Sequence, residues 1–455
     1  MAGTVENAIS LSKGTKMREN IKDILSWVDE KNRSLEVNIY KKTMEETVWF
    51  LDGEGVIRNK DNSFFQIRGL KVFEEDRLVQ EQPIIIQDEI GYLGIICKEF
   101  DHRMHFLMQA KIEPGNVNKI QISPTIQATK SNFTQKHGGK KPAYLEYFLD
   151  TRHRVLVDQI QSEQSSRFLG KRNRNIIILV EDEVQALPSH KWMSLDQIKE
   201  LMKIDNLVNM DTRTVLSCLP YLNMGERERE LLGYPRGEEL KRSLYEGDGT
   251  NHLTEIYKYI NDYKMFDLRR RELLPLSSLD RWEWKKGEFV HKYGYPFKVI
   301  FCEIEIEGRE VRKWTQPLFE ANGKAIFGLL TRIEDGMTKF LVKARAETGC
   351  FDKIELGPSV QLEADYVEEE LDVVEKLFFE RWKGQQNIRF DTVLSEEGGR
   401  FYHEQNHNVI IEIEEELREL PQGYFWVDYK TLAELITVNN VLNIQLRNLL
   451  SVLEA

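Results

Sequence analysis

The sequence predicts an α/β (α+β) protein made by internal duplication, and three observations carry that reading. Sliding the chain by 234 residues lays 82–133 on 316–367 without a gap, and 162–188 falls on 395–421 at an offset of 233. Strand-type alternation recurs at the same place in both halves. Amphipathic helix patterns open and close each half.

At 455 residues the chain exceeds one compact core. Its 41% apolar and 30% charged residues are ordinary for a globular protein. No apolar run reaches the length of a bilayer crossing, and the polar N-terminus reads as a frayed lead-in, neither secretory signal nor transit peptide. Cys97, Cys218, Cys302 and Cys350 are scattered without a C-x-x-C pair, which predicts a reducing, cytoplasmic setting. A net charge of −12 argues against nucleic acid, and Arg269, Arg270 and Arg271 read as a solvated helix end. His102 and His105 have no companions at zinc spacing, so no metal is expected.

In chain order, the organisation reads as a lead-in (1–17), a first unit (18–221), a charged connector (222–248) and a second unit (249–455). IKDILSWVDEK (21–31) parallels LTEIYKYINDY (253–263) as opening helix, and Trp49 parallels Trp282. The strand FLMQAKIE puts Gln109, Lys111 and Glu113 on one face, and its copy puts Lys343, Arg345 and Glu347 there. A cation kept in both halves suits a diphosphate, or equally a surface ion pair. In KIQISPTIQAT the apolar face is Ile120, Ile122, Ile126 and Ala128, and the polar face is Gln121, Ser123, Thr125, Gln127 and Thr129. The copy sets Ile354, Leu356, Val360 and Leu362 against Glu355, Ser359, Gln361 and Glu363. Amides and hydroxyls suit an oxygen-rich ligand; a Thr/Gln-rich exposed strand is the plain alternative. Near each end, Ser194 and Gln197 have capping-box spacing, followed by a buried stripe of Ile198, Leu201 and Met202. Asn206, Asn209 and Arg213 recur as Asn440, Asn443 and Arg447, which means helix capping or ligand contact: Asn209 and Asn443 read as caps, Arg213 and Arg447 as ligand candidates.

FLMQAKIEPGNVNKIQISPTIQATKSNFT (106–134), PAYLEYF (142–148) and KIDNLVNMDTRTVLSCLP (203–220) resemble the NDP-hexose 2,3-dehydratases, and FLVKARAETGCFDKIELGPSVQ (340–361) resembles that family's C-terminal half. The resemblance spans the whole chain, duplication included. It implies two tandem Nudix-like units in a homodimer. It also implies an enzyme of bacterial deoxysugar biosynthesis that takes the C2 hydroxyl from dTDP-4-keto-6-deoxyglucose. The 3,4-diketo-2,6-dideoxy product would pass to a 3-ketoreductase. The Nudix metal box is absent from both copies; YVEEELDVVEKLFFE (366–380) lacks its glycines and Arg-Glu pair, so metal-assisted pyrophosphate cleavage has no engine.

The implied elimination needs a base, an acid and donors to an enolate oxygen, with no redox cofactor. Between 129 and 152 the first copy carries Thr129, Lys130, Ser131, Asn132, His137, Tyr144 and Arg152, whereas Ala364, Asp365 and Tyr366 replace the Lys-Ser-Asn run in the second. One catalytic pocket in the first unit is therefore expected, with His137, Tyr144, Lys130 and Asp211 as proton-transfer residues. Lys111, Gln121, Thr125, Gln127, Thr129, Ser131, Asn132, Arg152, Asn209 and Arg213 are expected to bind substrate. A second pocket of Arg345, Glu347, Glu355, Gln361 and Arg447 would bind nucleotide at most. Plainer parts exist for several: His137 as an exposed loop residue, Tyr144 as a half-buried aromatic, Asp211 as a first-turn helix residue favoured by the dipole. A nucleotide-sugar hydrolase with a degraded metal box and a non-catalytic nucleotide-sugar-binding protein are the competing functions.

Overall fold

Each half opens on a helix whose apolar residues recur at helical spacing. In the computed structural model, which describes residues 20–61, 64–129, 141–307, 311–414, 417 and 419–455, these helices cover 20–34 and Gly249–Phe266. Ile24 and Val28 are buried on the first, Ile256 and Ile260 on the second, each pair four residues apart on one face. Burying each such side chain contributes about 1.5–3 kcal/mol.

Behind each helix stand a small antiparallel sheet and a larger mixed one. The first unit's mixed sheet runs Arg154–Ser162, Arg172–Leu179, Gly91–Phe100, Arg103–Ile112, His190–Ser194. The second runs Ile388–Ser395, Gln405–Glu412, Ile326–Glu334, Met337–Arg345, Tyr424–Asp428. In both, only the second and third strands are parallel. The fold class is the duplicated α/β (α+β) arrangement that the repeat predicts. The central strands are apolar on both faces (Leu93, Ile95, Ile96, Cys97) because helices and aromatic rings cover both sides. Gly94 and Gly328 occupy equivalent places, and each lies directly under a ring (Phe148 and Phe378) where a Cβ would collide.

The units are not independent beads. Val37–Lys42, just after the first opening helix, pairs with Phe297–Ile306 of the second unit. Its counterpart Arg269–Leu274 pairs with Gln66–Glu74 of the first. The two tryptophans make the same exchange: Trp49 Nε1 donates to the Thr315 carbonyl (2.7 Å) and Trp282 Nε1 to the Glu81 carbonyl (3.3 Å). Arg269–Arg271 thus belong to an edge strand, and not to the helix end that charge alone suggested. Arg269 turns back to Asp267, and Arg271 donates to the carbonyls of Thr348 and Cys350. Charged side chains suit an edge strand because they block further pairing. The stretch 222–248 holds two helices, Glu226–Leu232 and Glu238–Tyr245, which bury Leu232, Leu240 and Leu244.

Helices Met210–Ser217 and Ile444–Ser451 meet at the seam with every residue buried, and one apolar core runs through both units. All four cysteines are free and buried. Among the described residues no helix is long and apolar enough to cross a membrane.

Candidate active site

The first pocket begins on the strand Arg103–Ile112, whose last residues bring Lys111 to the seam. Its ammonium lies 3.1 Å from Glu113, and Gln127 Nε2 donates to the same carboxylate oxygen at 2.9 Å. Gln127 in turn accepts from Asn209 Nδ2 at 3.5 Å. Asn209 is an N-cap: its Oδ1 accepts the Thr212 amide at 2.8 Å, and its Nδ2 also donates to Ser123 (2.9 Å). Two residues after this cap is Asp211, 2% exposed, whose Oδ1 has no hydrogen-bond partner among the described residues.

The pocket is closed by groups from elsewhere in both units. Glu163 is held by Asn173, and Lys171 donates to the Glu89 carbonyl. From the second unit comes the loop 395–400, carrying Glu397 and Arg400. It is stitched to the turn 113–116: the Gly115 amide donates to the Gly398 carbonyl (2.7 Å) and the His403 amide to the Gly115 carbonyl (2.9 Å).

Burial governs the charges here. Desolvation pushes the Asp211 carboxyl well above the usual carboxylate range, and Glu163, Glu113 and Glu397 add to the push while Lys111 opposes it. Burial raises Glu397 to about 8, with Glu113 adding and Arg400 opposing. Glu163 rises to about 7 and Lys171 falls to about 8, both from burial, each partly offset by the other's charge. Three carboxyl groups whose pKa values burial raises therefore lie near one another at the seam. Perturbed groups of this kind mark sites of proton transfer.

The second pocket repeats the frame. Gln361 Nε2 donates to Glu347 at 2.9 Å and Asn443 Nδ2 to Gln361 at 2.8 Å, while Arg345 reaches the carbonyls of Gln361 and Ser359. Here the inserted loop is 162–167 of the first unit, stitched by the Gly349 amide to the Ser165 carbonyl (2.7 Å). The acids differ. Asp211 is matched by Gln445 and Glu397 by Gln164. Its glutamates have these partners: Arg167 grips Glu363 with two bonds (3.0 and 2.9 Å) and touches Glu404, and Ser162 donates to Glu355 at 2.9 Å, with Glu355 Oε1 and Glu404 Oε2 unpartnered among the described residues.

Of the residues singled out in the sequence, the structure brings Lys111, Gln127, Asn209 and Asp211 together in the first pocket, with half-buried Thr129 just beyond Gln127. It gathers Arg345, Glu347 and Gln361 in the second, with Glu355 behind them. Others have structural places. The Thr125 hydroxyl donates to Leu107 (2.5 Å) and accepts from Ile96 (2.9 Å), both inside the sheet. Gln121 donates to Ser395 across the seam at 2.8 Å. The polar face of 120–129 is thus not an open ligand face: Gln121 reaches the other unit, Ser123 and Thr125 bond within their own, and Pro124 splits the stretch into two strands, Ile120–Ser123 and Ile126–Ala128, of which all of the first is buried. The Tyr144 phenol donates to the Gln185 carbonyl (2.9 Å) and accepts the Leu187 amide (2.8 Å), so both roles are taken. Arg152 is exposed and folded back on Asp150. Arg213 and Arg447, both fully buried, face the other unit: Arg213 donates to the Ser395 carbonyl at 2.7 Å, and Arg447 to the equivalent Ser162 carbonyl and to Thr214. Lys130, Ser131, Asn132 and His137 lie outside the described residues. Sequence reasoning missed Glu163, Lys171, Glu397 and Arg400, although the recurring SE-x-x-x-R block contained three of the four.

Comparison with known proteins is consistent along the whole chain. The family model for NDP-hexose 2,3-dehydratase matches twice, over 21–219 and 253–453. A dTDP-4-dehydro-6-deoxy-α-D-glucopyranose 2,3-dehydratase from Saccharopolyspora spinosa is 40% identical over 402 residues, covering 87% of this chain and 83% of that protein. Proteins of the same name from Streptomyces violaceoruber and Amycolatopsis orientalis are 35% and 34% identical, covering 94% and 100% of this chain and 95% and 94% of their own lengths.

Proposed function

This chain belongs to the NDP-hexose 2,3-dehydratase family, and from that premise we infer that it removes water across C2 and C3 of dTDP-4-keto-6-deoxyglucose, as a carbon–oxygen lyase of deoxysugar biosynthesis. The C4 ketone acidifies the C3 hydrogen, so a base takes it to give an enolate. The C2 hydroxyl, β to the ketone, then leaves with a proton from an acid, and the resulting enol relaxes to the 3,4-diketone. Metal and redox chemistry are not required by these steps.

We place this reaction in the first pocket. The observation that carries the placement is Asp211: a buried carboxyl with one oxygen unpartnered among the described residues, near groups of its own sign, at a position where the second pocket has an amide. Deprotonated, it is a base shielded from water; Lys130 and His137, on the segment that follows Thr129, share that part in this reading. Lys111 at the pocket edge faces the diphosphate, and Gln127 and Asn209 orient the sugar. Arg213, Arg447, Tyr144 and Thr125 hold the frame. The second pocket binds nucleotide at most.

We further take the chain to act as a cytoplasmic homodimer of paired Nudix-like units, divided near 18–221, 222–248 and 249–455, whose unstable diketone passes to a 3-ketoreductase. The test is incubation with dTDP-4-keto-6-deoxyglucose in D₂O with a trapping 3-ketoreductase. Loss of one water with deuterium at C2 supports the reading. Unchanged substrate, or release of dTMP, overturns it.

A further inference from the structure

The catalytic pocket of the first unit receives the loop 395–400 from the second, and we propose that Glu397 on that loop is the acid that protonates the departing C2 hydroxyl. The inference rests on the dehydratase reading above and adds a residue that the first unit does not itself possess.

Three observations carry it. The first is position. The loop is sewn into the turn after Lys111 by the Gly115–Gly398 and His403–Gly115 backbone bonds, and Gly399 packs close to the Glu113 carboxylate. Among the described residues the Glu397 carboxylate accepts only the Gly399 amide, at 3.0 Å, from its own loop. Glu397 is partly buried on the pocket side of the loop's turn, whereas its neighbour Glu396 is fully buried and accepts from Asn406 (2.8 Å). The second is Asp211, near enough to feel the Glu397 charge and buried with one oxygen unpartnered among the described residues: elimination needs two groups of different duty, and these come from opposite sides of the seam. The third is an internal control. The second pocket is built on the same frame, yet carries Gln164 and Gln445 at these two positions. An amide keeps the shape and the hydrogen bonding but neither gives nor takes a proton at neutral pH. At these two positions one pocket therefore has carboxyls and the other has amides.

The proton count closes. The base removes the C3 hydrogen, leaving the enolate. The enolate expels the C2 oxygen, which takes the Glu397 proton and departs as water, leaving a C2=C3 enol and a Glu397 carboxylate. The enol hydroxyl then returns a proton to Glu397, while the protonated base delivers one to C2. One water is lost, and both groups are reset.

The test is Glu397→Gln in the full chain, a substitution that the sister loop already accommodates as Gln164. With dTDP-4-keto-6-deoxyglucose in D₂O, turnover is expected to fall by about 10²–10⁴-fold, while deuterium still enters C3 of recovered substrate and dTDP affinity stays within about threefold of wild type. Loss of hydroxyl departure with enolisation kept is the signature of an acid, which a merely structural residue would not give. Turnover above a tenth of wild type, or C3 exchange lost in proportion to turnover, overturns the inference. A wild-type chain that releases no water overturns the functional reading itself, and this inference with it.

Discussion

Gly115→Ala tests whether the two units complete each other's pockets. A Cβ at this position would overlap the Phe401 carbonyl oxygen, stand 2.7 Å from that carbonyl carbon and 2.9 Å from the Gly398 oxygen. All three are backbone atoms, so no side chain can turn away. The loop 395–400 must move, which weakens the 2.7 Å Gly115–Gly398 and 2.9 Å His403–Gly115 bonds. Two such bonds contribute about 0.5–1.5 kcal/mol each, and overpacking of a closed contact costs about 1–3 kcal/mol. The expected destabilisation is therefore about 2–6 kcal/mol, read from guanidinium unfolding at matched m-value. Gly349→Ala should cost a similar amount, because its Cβ would overlap Phe168 and lie 2.5 Å from the Ser165 carbonyl. The two must differ in activity. At a temperature where both remain folded, Gly115→Ala displaces the loop bearing Glu397 and Arg400 and should lose most turnover, whereas Gly349→Ala disturbs only the second pocket. Stability within about 0.5 kcal/mol of wild type for either variant, or equal losses of turnover in both, would refute the reasoning.

Two further outcomes follow from the same geometry. Glu163 and Glu404 (about 7) and Glu355 and Glu397 (about 8) have folded values raised by burial above the unfolded value of 4.5, so their contribution is full below about pH 4.5 and is lost as pH rises through 7 to 8. Lys171 (about 8) and Lys199 (about 7) are depressed and act oppositely, but only above pH 7, so the melting temperature should fall steadily from pH 5 to pH 7; a rise over that interval would contradict the buried-carboxyl account. Residues 18–221 expressed alone lack the strand Arg269–Leu274, the Trp282 contact and the loop 395–400, and should give the circular dichroism and urea response of an unfolded or molten chain; a cooperative transition would show that the exchange is not needed for folding.

The duplication was legible because identical residues at a fixed offset report common structure whatever their role. Gly94 and Gly328, Gln127 and Gln361, and Asn209 and Asn443 all turn out to occupy matching places. The strand exchange was not legible, since nothing in the residues of Val37–Lys42 says which unit supplies the partner strand. The same gap misled the reading of the polar face: Gln121 and Arg213 look like ligand groups in one dimension, and only the approach of Ser395 from 182 residues away in the chain, in the case of Arg213, shows that they bridge units. Tyr144 illustrates another limit, because the backbone partners of a phenol carry no side-chain signature in the sequence. Glu397 could have been found. Its block, SEEGGR, aligns with SEQSSR, and the change from amide to acid at a single place is the kind of difference that separates a working copy from a supporting one.

The central claim is that one pocket, at the seam and in the first unit, performs the elimination. Its most direct test compares Asp211→Asn with Arg345→Ala, measuring water release from dTDP-4-keto-6-deoxyglucose through the trapped product and dTDP binding by calorimetry. Asp211→Asn should lose at least about 10²-fold in turnover with dTDP binding kept, while Arg345→Ala keeps turnover within about threefold. Turnover that survives Asp211→Asn and disappears with Arg345→Ala would move the chemistry to the second pocket and contradict the account.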